Sequence, residues 1–238
     1  MFEKYKNYIK DLNGFEKEDI LNAKFLLYKE NNLEIYYAPH NEIVNKFARI
    51  FIVGITPGWT QTKIAYTIAN KYLQEGASDE EVKQAAKRSA RFAGSMRTNL
   101  VLMLDELKLN EKLNIKSCVE LFNESDNLLH TTSLIPYPVF CNKKNYTGSN
   151  PKIAKSEVLY KYVKTYFYKE VSEVNHALII PLGKSTSEIL ELMIEDGIIK
   201  KEQCLLGFPH PSGANGHRKI EFRNNLSEMT KIIDNYFK

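Results

Sequence analysis

The sequence predicts an α/β fold, a single domain over residues 1–238 in which helices cover both faces of a central, mostly parallel sheet of four strands. Two observations predict it. Short apolar runs alternate with segments of helical periodicity, and the composition is ordinary for a globular chain, with 43% hydrophobic and 26% charged residues. A chain of this length and composition can build a hydrophobic core without disulfides.

Four apolar runs have the length expected of buried parallel strands. They are residues 48–54 (ARIFIVG), 127–134 (NLLHTTSL), 176–183 (HALIIPLG) and 203–208 (QCLLGF). Segments of helical periodicity lie between or beside them, at 62–76, 99–109, 155–174 and 185–197. This alternation is typical of βαβ units, in which the strands run parallel.

The remaining parts of the chain are also predicted to be helical. Residues 1–45 form an N-terminal helical region with a helix at 15–32, and a last helix covers 221–237. Residues 60–91 are a helical insertion after the first strand. The helix that follows the third strand is predicted to begin at a Ser/Thr N-cap and to end at Gly197.

Composition and charge limit the cellular setting. The three cysteines, Cys118, Cys141 and Cys204, are far apart and form no C-x-x-C pair, which predicts a reducing, cytoplasmic location. No apolar run reaches membrane-spanning length, so no membrane partner is expected. No cofactor is expected, and no metal either, because Cys204, His210 and His217 match no standard zinc spacing.

A mildly basic balance is compatible with a nucleic-acid partner. The net charge is +4, and residues 141–169 carry seven lysines and one glutamate, interleaved with aromatic residues. Such a stretch can neutralise phosphates and stack on bases. Taken alone, the stretch is more typical of an amphipathic helix whose lysines face solvent, and the sequence leaves both interpretations open.

Each predicted strand is followed by a polar segment rich in turn residues. These segments are 54–61 (GITPGWTQ), 131–138 (TTSLIPYP), 182–187 (LGKSTS) and 209–218 (PHPSGANGHR). The carboxyl ends of parallel strands meet at one edge of a sheet, and ligands of such folds bind outside that edge. The sequence therefore predicts a site there.

Four segments, in this order, resemble motifs of the uracil-DNA glycosylase superfamily. They are GITPG (54–58), FAGSMRTNLVLMLDEL (92–107), LGKSTSEIL (182–190) and HPSGANGH (210–217), and the resemblance spans residues 46–226. It implies that family's α/β/α sandwich and its reaction, hydrolysis of the N-glycosidic bond of uracil or another deaminated or damaged base in DNA by base flipping. It also implies a DNA partner and a protein that acts as a monomer.

The resemblance assigns roles to residues of this chain. Thr56 holds the attacking water and His210 donates a hydrogen bond to the negative charge that develops on the base. The base-binding residues it implies are Gly54, Ile55, Pro57, Gly58, Trp59, Phe92 and His130. The phosphate- or DNA-binding residues are Lys184, Ser185, Ser212, Gly213, Ala214, Asn215 and Arg218.

Three positions depart from the family pattern. Thr56 stands where the family has Asp or Asn, and a threonine hydroxyl is a poor general base. His130 stands where the base-reading Asn is common, and it is either a base reader or a core histidine. Ala214 fills little of a vacated base stack, which favours single-stranded or distorted DNA.

Two other functions therefore remain open. One is a catalytically lapsed member of the same fold that binds nucleic acid or a nucleobase, and Thr56 is the residue that favours it. The other is an unrelated parallel α/β protein that binds a small phosphorylated ligand at the same edge.

Overall fold

Ten α-helices and two β-sheets make up the fold, which a computed structural model describes for residues 1–238. The strands are β1 Leu26–Glu30, β2 Leu33–Tyr36, β3 Ile50–Gly54, β4 Leu129–Ser133, β5 Val139–Cys141, β6 Lys144–Asn145 and β7 Leu178–Pro181. The helices are α1 Phe2–Lys10, α2 Lys17–Ile20, α3 Trp59–Gln74, α4 Asp79–Ala90, α5 Ser95–Glu106, α6 Leu109–Leu113, α7 Glu157–Tyr162, α8 Tyr168–Glu173, α9 Lys184–Glu195 and α10 Arg218–Tyr236. A π-helical turn, Val163–Phe167, joins α7 to α8.

The central sheet is parallel and has three strands in the order β4-β3-β7. Three of the predicted strands are therefore confirmed, and the fourth, at 203–208, is wrong. That segment makes one bridge, between Ile179 and Cys204, and the Leu205 amide donates to the Ile179 carbonyl at 2.8 Å. Pairing ends there because the Leu206 amide turns back to the Cys204 carbonyl and Gly207 takes a left-handed φ of +86°.

A second, antiparallel sheet in the order β1-β2-β5-β6 was not predicted from the sequence. The predicted helix at 15–32 is wrong: only the four residues of α2 are helical, and β1 follows. Asn31 adopts a φ of +50° and reverses the chain, so that β1 pairs with β2. Pairing with β2 overrides the helical periodicity of this segment.

Helices cover both faces of the parallel sheet, as predicted. Alternate side chains of β3 enter two different cores, because successive residues of a strand point to opposite faces. Phe51 and Val53 pack with α3, α4 and α9, whereas Ile50 and Ile52 pack with α5 and α10. All of these strand residues are fully buried.

The helices predicted at 62–76, 99–109, 155–174, 185–197 and 221–237 are confirmed, with shifts at their ends. The insertion at 60–91 is helical and consists of most of α3 and all of α4. The N-cap of α9 is Gly183, not a serine or threonine, and the Thr186 and Ser187 hydroxyls donate back to its carbonyl. Gly197 ends this helix at a φ of +69°.

None of the helices combines the length and the apolar character that crossing a membrane requires.

Candidate functional site

A cleft of about 690 Å³ opens at the carboxyl edge of the parallel sheet, where the sequence predicted a site. The segments after β3 and β7 and the loop at 210–215 all line it. It contains most of the predicted residues: Gly54, Ile55, Thr56, Gly58, Trp59, Phe92, Lys184, Ser185, His210, Ser212, Gly213, Ala214 and Asn215. Its volume lies within the range of roughly 300–1,000 Å³ that is usual for small-molecule sites.

His210 presents one ring nitrogen for a ligand. The Ser212 amide donates to its Nδ1 at 3.3 Å, so the neutral ring carries its proton on Nε2. Nε2 has no protein partner. The side chain is mostly desolvated, which lowers the pKa of His210 below the ordinary value of 6.5 and keeps the ring neutral. His210 therefore supplies a neutral N–H donor to the cleft.

The hydroxyl of Thr56 is held by the backbone of the neighbouring loop. It donates to the Tyr137 carbonyl at 2.7 Å and accepts from the Val139 amide at 3.1 Å. One lone pair is left, with which the oxygen can accept a hydrogen bond from water. Thr56 thus fastens the loop after β3 to the segment before β5, and it has no free proton to donate.

Aromatic side chains form part of the cleft wall. Phe92 lies between α4 and α5 with a left-handed φ of +50°, and its ring packs against the end of β3. A Cβ placed on Gly54 would lie 3.4 Å from the Phe92 ring, at ordinary van der Waals contact. Trp59 and Tyr146 also line the cleft, so three aromatic residues contribute to its wall.

Helix N-termini and the lining residues give the cleft a preference for neutral or negative ligands. The helices α3, α5 and α9 begin here, after Gly58, Gly94 and Gly183, none of which provides a side-chain cap. The N-terminal end of a helix dipole stabilises negative charge. Lys184 is the one Lys or Arg in the lining, and no Asp or Glu belongs to it.

The structure corrects the role predicted for His130. The side chain is fully buried outside the cleft, with Nε2 donating to Glu170 Oε2 at 2.9 Å and the Asn45 amide donating to Nδ1 at 3.4 Å. Its ring packs 4.6 Å from that of Phe51. Because side chains alternate along β4, His130 points to the core face, whereas Ser133 at the end of the strand reaches the cleft.

Two other predicted residues lie outside the cleft. Pro57 is buried beside it, in the wall of a smaller chamber. The guanidinium of Arg218 donates to the Ser212 carbonyl at 2.6 Å and lines a neighbouring groove between α5 and α10. Arg218 therefore stabilises the loop that carries His210, and it does not line the cleft.

Sequence reasoning missed several polar residues of the cleft: Gln61, Ser95, Ser133, Asn145 and Thr147. Ser133 carried a signal, because it is a polar residue at the end of a predicted strand. Asn145 carried none, since the β5–β6 hairpin brings it to the start of α3, where its Oδ1 accepts from the Trp59 amide at 3.0 Å. No group of three or more His, Cys, Asp or Glu side chains could hold a metal ion.

Acid is expected to destabilise the fold, because burial lowers the pKa of His40 to about 3, that of His130 to about 4 and that of His210 below 6.5. In the unfolded chain each titrates near ~6.5. The unfolded state therefore binds more protons below that pH, and each histidine lowers the free energy of unfolding by up to about 1.4 kcal/mol per pH unit. Urea denaturation at pH 7.5 and 5.5 measures this loss, and equal stabilities would contradict it.

Comparison with known proteins gives a relative but no activity. No family model matches the chain. The uncharacterized protein YoxB of Bacillus subtilis (strain 168) is 44% identical over 225 residues, which cover 94% of this chain and 88% of the relative.

Proposed function

The chain belongs to the same family as YoxB of Bacillus subtilis, and from the site itself we propose that it is a DNA glycosylase. It would release uracil, or another deaminated or damaged base, from a flipped nucleotide bound in the cleft. The C1′–N bond breaks with its electron pair leaving on the base. Water then adds its oxygen to C1′, and its proton passes through solvent to the base anion, so the products are the free base and an abasic sugar.

One observation carries the proposal: the fixed tautomer of His210. The Ser212 amide leaves Nε2–H of the mostly buried His210 ring as a donor to a cleft without Asp or Glu. A fixed donor aimed at the charge that develops on the departing base stabilises the transition state more than the ground state. The ring is already neutral near pH 7, so titration of the ring does not change the Nε2–H donor in that range.

Other features of the cleft fit a flipped nucleotide. The proposal places the base against the aromatic residues of the cleft wall, Phe92, Trp59 and Tyr146. Lys184 and Ser185 begin α9, and Ser212 lies in the facing loop, so a backbone phosphate at this rim would meet a cation, two hydroxyls and a helix N-terminus. The small side chain of Ala214 favours single-stranded or distorted DNA, in which extrusion costs less.

A single-turnover assay with excess protein tests the proposal. The substrates are single-stranded and duplex oligonucleotides that carry uracil, hypoxanthine or a mismatched thymine. Release of a base from one of them supports a glycosylase and names its substrate. If nothing is released, the glycosylase proposal is wrong.

The hydroxyl of Thr56 favours a second candidate, a protein of the same fold that binds a nucleobase or single strand without cleaving it. Both hydrogen bonds of the Thr56 hydroxyl go to the backbone, and no carboxylate lies in the cleft to activate water. For this candidate, oligonucleotides bind without release of a base, and the affinity falls as salt rises because phosphate contacts displace counterions.

Replacing Thr56 with valine is expected to lower the free energy of unfolding by about 1–3 kcal/mol, because the Tyr137 carbonyl and the Val139 amide lose their partner. Thr56→Ser keeps the hydroxyl and is the matched control, expected to lie close to the wild type. Urea denaturation of the three proteins measures the difference. A valine variant as stable as the serine variant would show that the hydroxyl does not fasten the loop.

A further inference from the structure

A second concave surface, the α5–α10 groove, lies beside the loop at 210–215. Its volume is about 280 Å³. Two helices form its wall, with Asn99, Leu102, Met103 and Glu106 on α5 and Arg218, Lys219, Phe222 and Arg223 on α10. None of these side chains lines the cleft, so the groove is a surface of its own.

The loop at 210–215 connects the groove to the cleft. Two groove residues hold its backbone: Asn99 Nδ2 donates to the Pro211 carbonyl at 2.9 Å, and Arg218 Nη1 donates to the Ser212 carbonyl at 2.6 Å. His210 and residues 212–215 of the same loop line the cleft. A chain molecule that leaves the cleft over this loop therefore enters the groove.

The charge of the groove favours an anionic occupant. It contains three cationic side chains and one carboxylate, that of Glu106. Lys219 and Arg223 are exposed, and neither forms an ion pair or a hydrogen bond within the protein. They lie one turn apart on α10, so they point the same way. The N-terminal end of this 19-residue helix, which has no side-chain cap, adds positive potential.

The floor of the groove is apolar. Phe222 and Met103 are 3% and 7% exposed, whereas Leu102 is 62% exposed and open to a ligand. A nucleic-acid single strand presents phosphates together with the apolar faces of unstacked bases. Cations above an apolar floor match this combination.

We propose that the α5–α10 groove binds a DNA single strand on one side of the nucleotide held in the cleft, with Lys219 and Arg223 contacting its phosphates. The inference rests on the DNA binding proposed above, and it applies whether or not the base is cleaved. A nucleotide in the cleft has a flank on each side, and the loop at 210–215 lies between the cleft and the groove. Only the flank that crosses this loop reaches Lys219 and Arg223.

The test compares the double variant Lys219→Ala/Arg223→Ala with Lys201→Ala/Lys231→Ala. The second variant removes the same charge from exposed positions outside both the groove and the cleft. The probes are three single strands of equal length that carry 2′-fluoro-deoxyuridine in the middle, near the 5′ end or near the 3′ end. The fluorine keeps the base on the sugar, so the affinity can be measured as a function of salt.

In Lys219→Ala/Arg223→Ala we expect the affinity at low salt to fall about five- to tenfold for the middle strand and for one of the two end strands. The other end strand has no flank that reaches the groove and keeps the wild-type affinity. Each phosphate contact of a single strand contributes about 0.7 to the slope of log affinity against log salt, so the slope should decrease by about 1.4. The control variant should match the wild type on all three strands.

Glu106→Gln is expected to act in the opposite direction. It removes the one carboxylate of the groove, so the affinity for the same two strands should rise about twofold. An unchanged or lower affinity would contradict binding of phosphates beside Glu106.

Equal affinities of Lys219→Ala/Arg223→Ala and the wild type on all three strands would overturn the inference and leave the groove to an acidic protein segment. Equal losses on all three strands would also overturn it, because the effect would not belong to one flank. If the wild type binds no strand, the inference falls together with the proposed function. A one-sided loss without any release of base supports the groove and contradicts the glycosylase alone.

Discussion

Replacing His210 with alanine is expected to slow base release by about 10²–10³-fold, the usual effect of removing one fixed donor to a developing anion. The reason is the Nε2–H donor, which the Ser212 amide orients by its bond to Nδ1. Alanine leaves water in its place, and water must reorient during the reaction. Single-turnover rates on the best substrate of the panel measure the loss.

His217→Ala is the matched control. His217 lies in the same loop, but its side chain is exposed and no side-chain hydrogen bond ties it to the cleft. Its release rate is therefore expected to equal that of the wild type. A His210→Ala protein that still binds the substrate and releases the base at the wild-type rate would exclude His210 from the reaction.

The pH profile of the wild type gives a second readout for His210. Burial lowers the pKa of the ring, so the neutral donor persists below pH 6.5. Release is therefore expected to stay constant as the pH falls through 6.5 and to decline only in more acidic solution, when Nδ1 is protonated and repels the Ser212 amide. A decline centred at or above pH 6.5 would contradict this assignment.

Gly183→Ala is expected to lower the free energy of unfolding by about 2–6 kcal/mol and to displace His210. Gly183 has a φ of +87° and a ψ of 178°, a region that is essentially limited to glycine. A Cβ there would also lie 2.9 Å from the Cβ of His210. Backbone strain and the clash therefore add, and the clash pushes the donor away from the base.

Gly94→Ala separates these two effects. Gly94 is also an uncapped helix N-cap, with a φ of 82° and a ψ of −151°, but a Cβ there would meet nothing within 4 Å. It should therefore show the backbone strain without a clash with His210, a loss of about 1–3 kcal/mol in the free energy of unfolding. Urea denaturation and single-turnover rates compare the two variants. Equal losses of stability and of rate would show that the contact with His210 is unimportant.

Much of the sheet and of the cleft could be predicted from local sequence. The strands β3 and β7 are continuous apolar runs, and the segments after β3, β4 and β7 carry Gly, Pro and polar residues that favour a turn. Because parallel strands end at a common edge, locating these runs was enough to bring Thr56 and Lys184 together. His210 reaches the same edge although the segment before it, 203–208, makes only one bridge to β7. The helices followed from periodicity in the same way.

The prediction failed where pairing between distant segments decides the structure. Residues 15–32 have helical periodicity, yet residues 26–30 form β1, which pairs with β2 in a sheet that β5, more than 100 residues later, extends. The segment 203–208 is apolar enough for a strand, but it makes a single bridge before the chain turns. Local sequence does not specify which other strand a segment will pair with.

The sequence by itself determined where the parallel strands and the helices between them lie, and at which edge of the sheet the polar residues gather. These features depend mainly on residues that are neighbours in the chain. Only the tertiary structure decided what the individual side chains do. It turned His130 into the core beside Glu170, tied the Thr56 hydroxyl to a backbone loop and placed Arg218 in the groove between α5 and α10. These outcomes depend on which face of a strand packs against which element, and that is set by contacts between residues far apart in the chain.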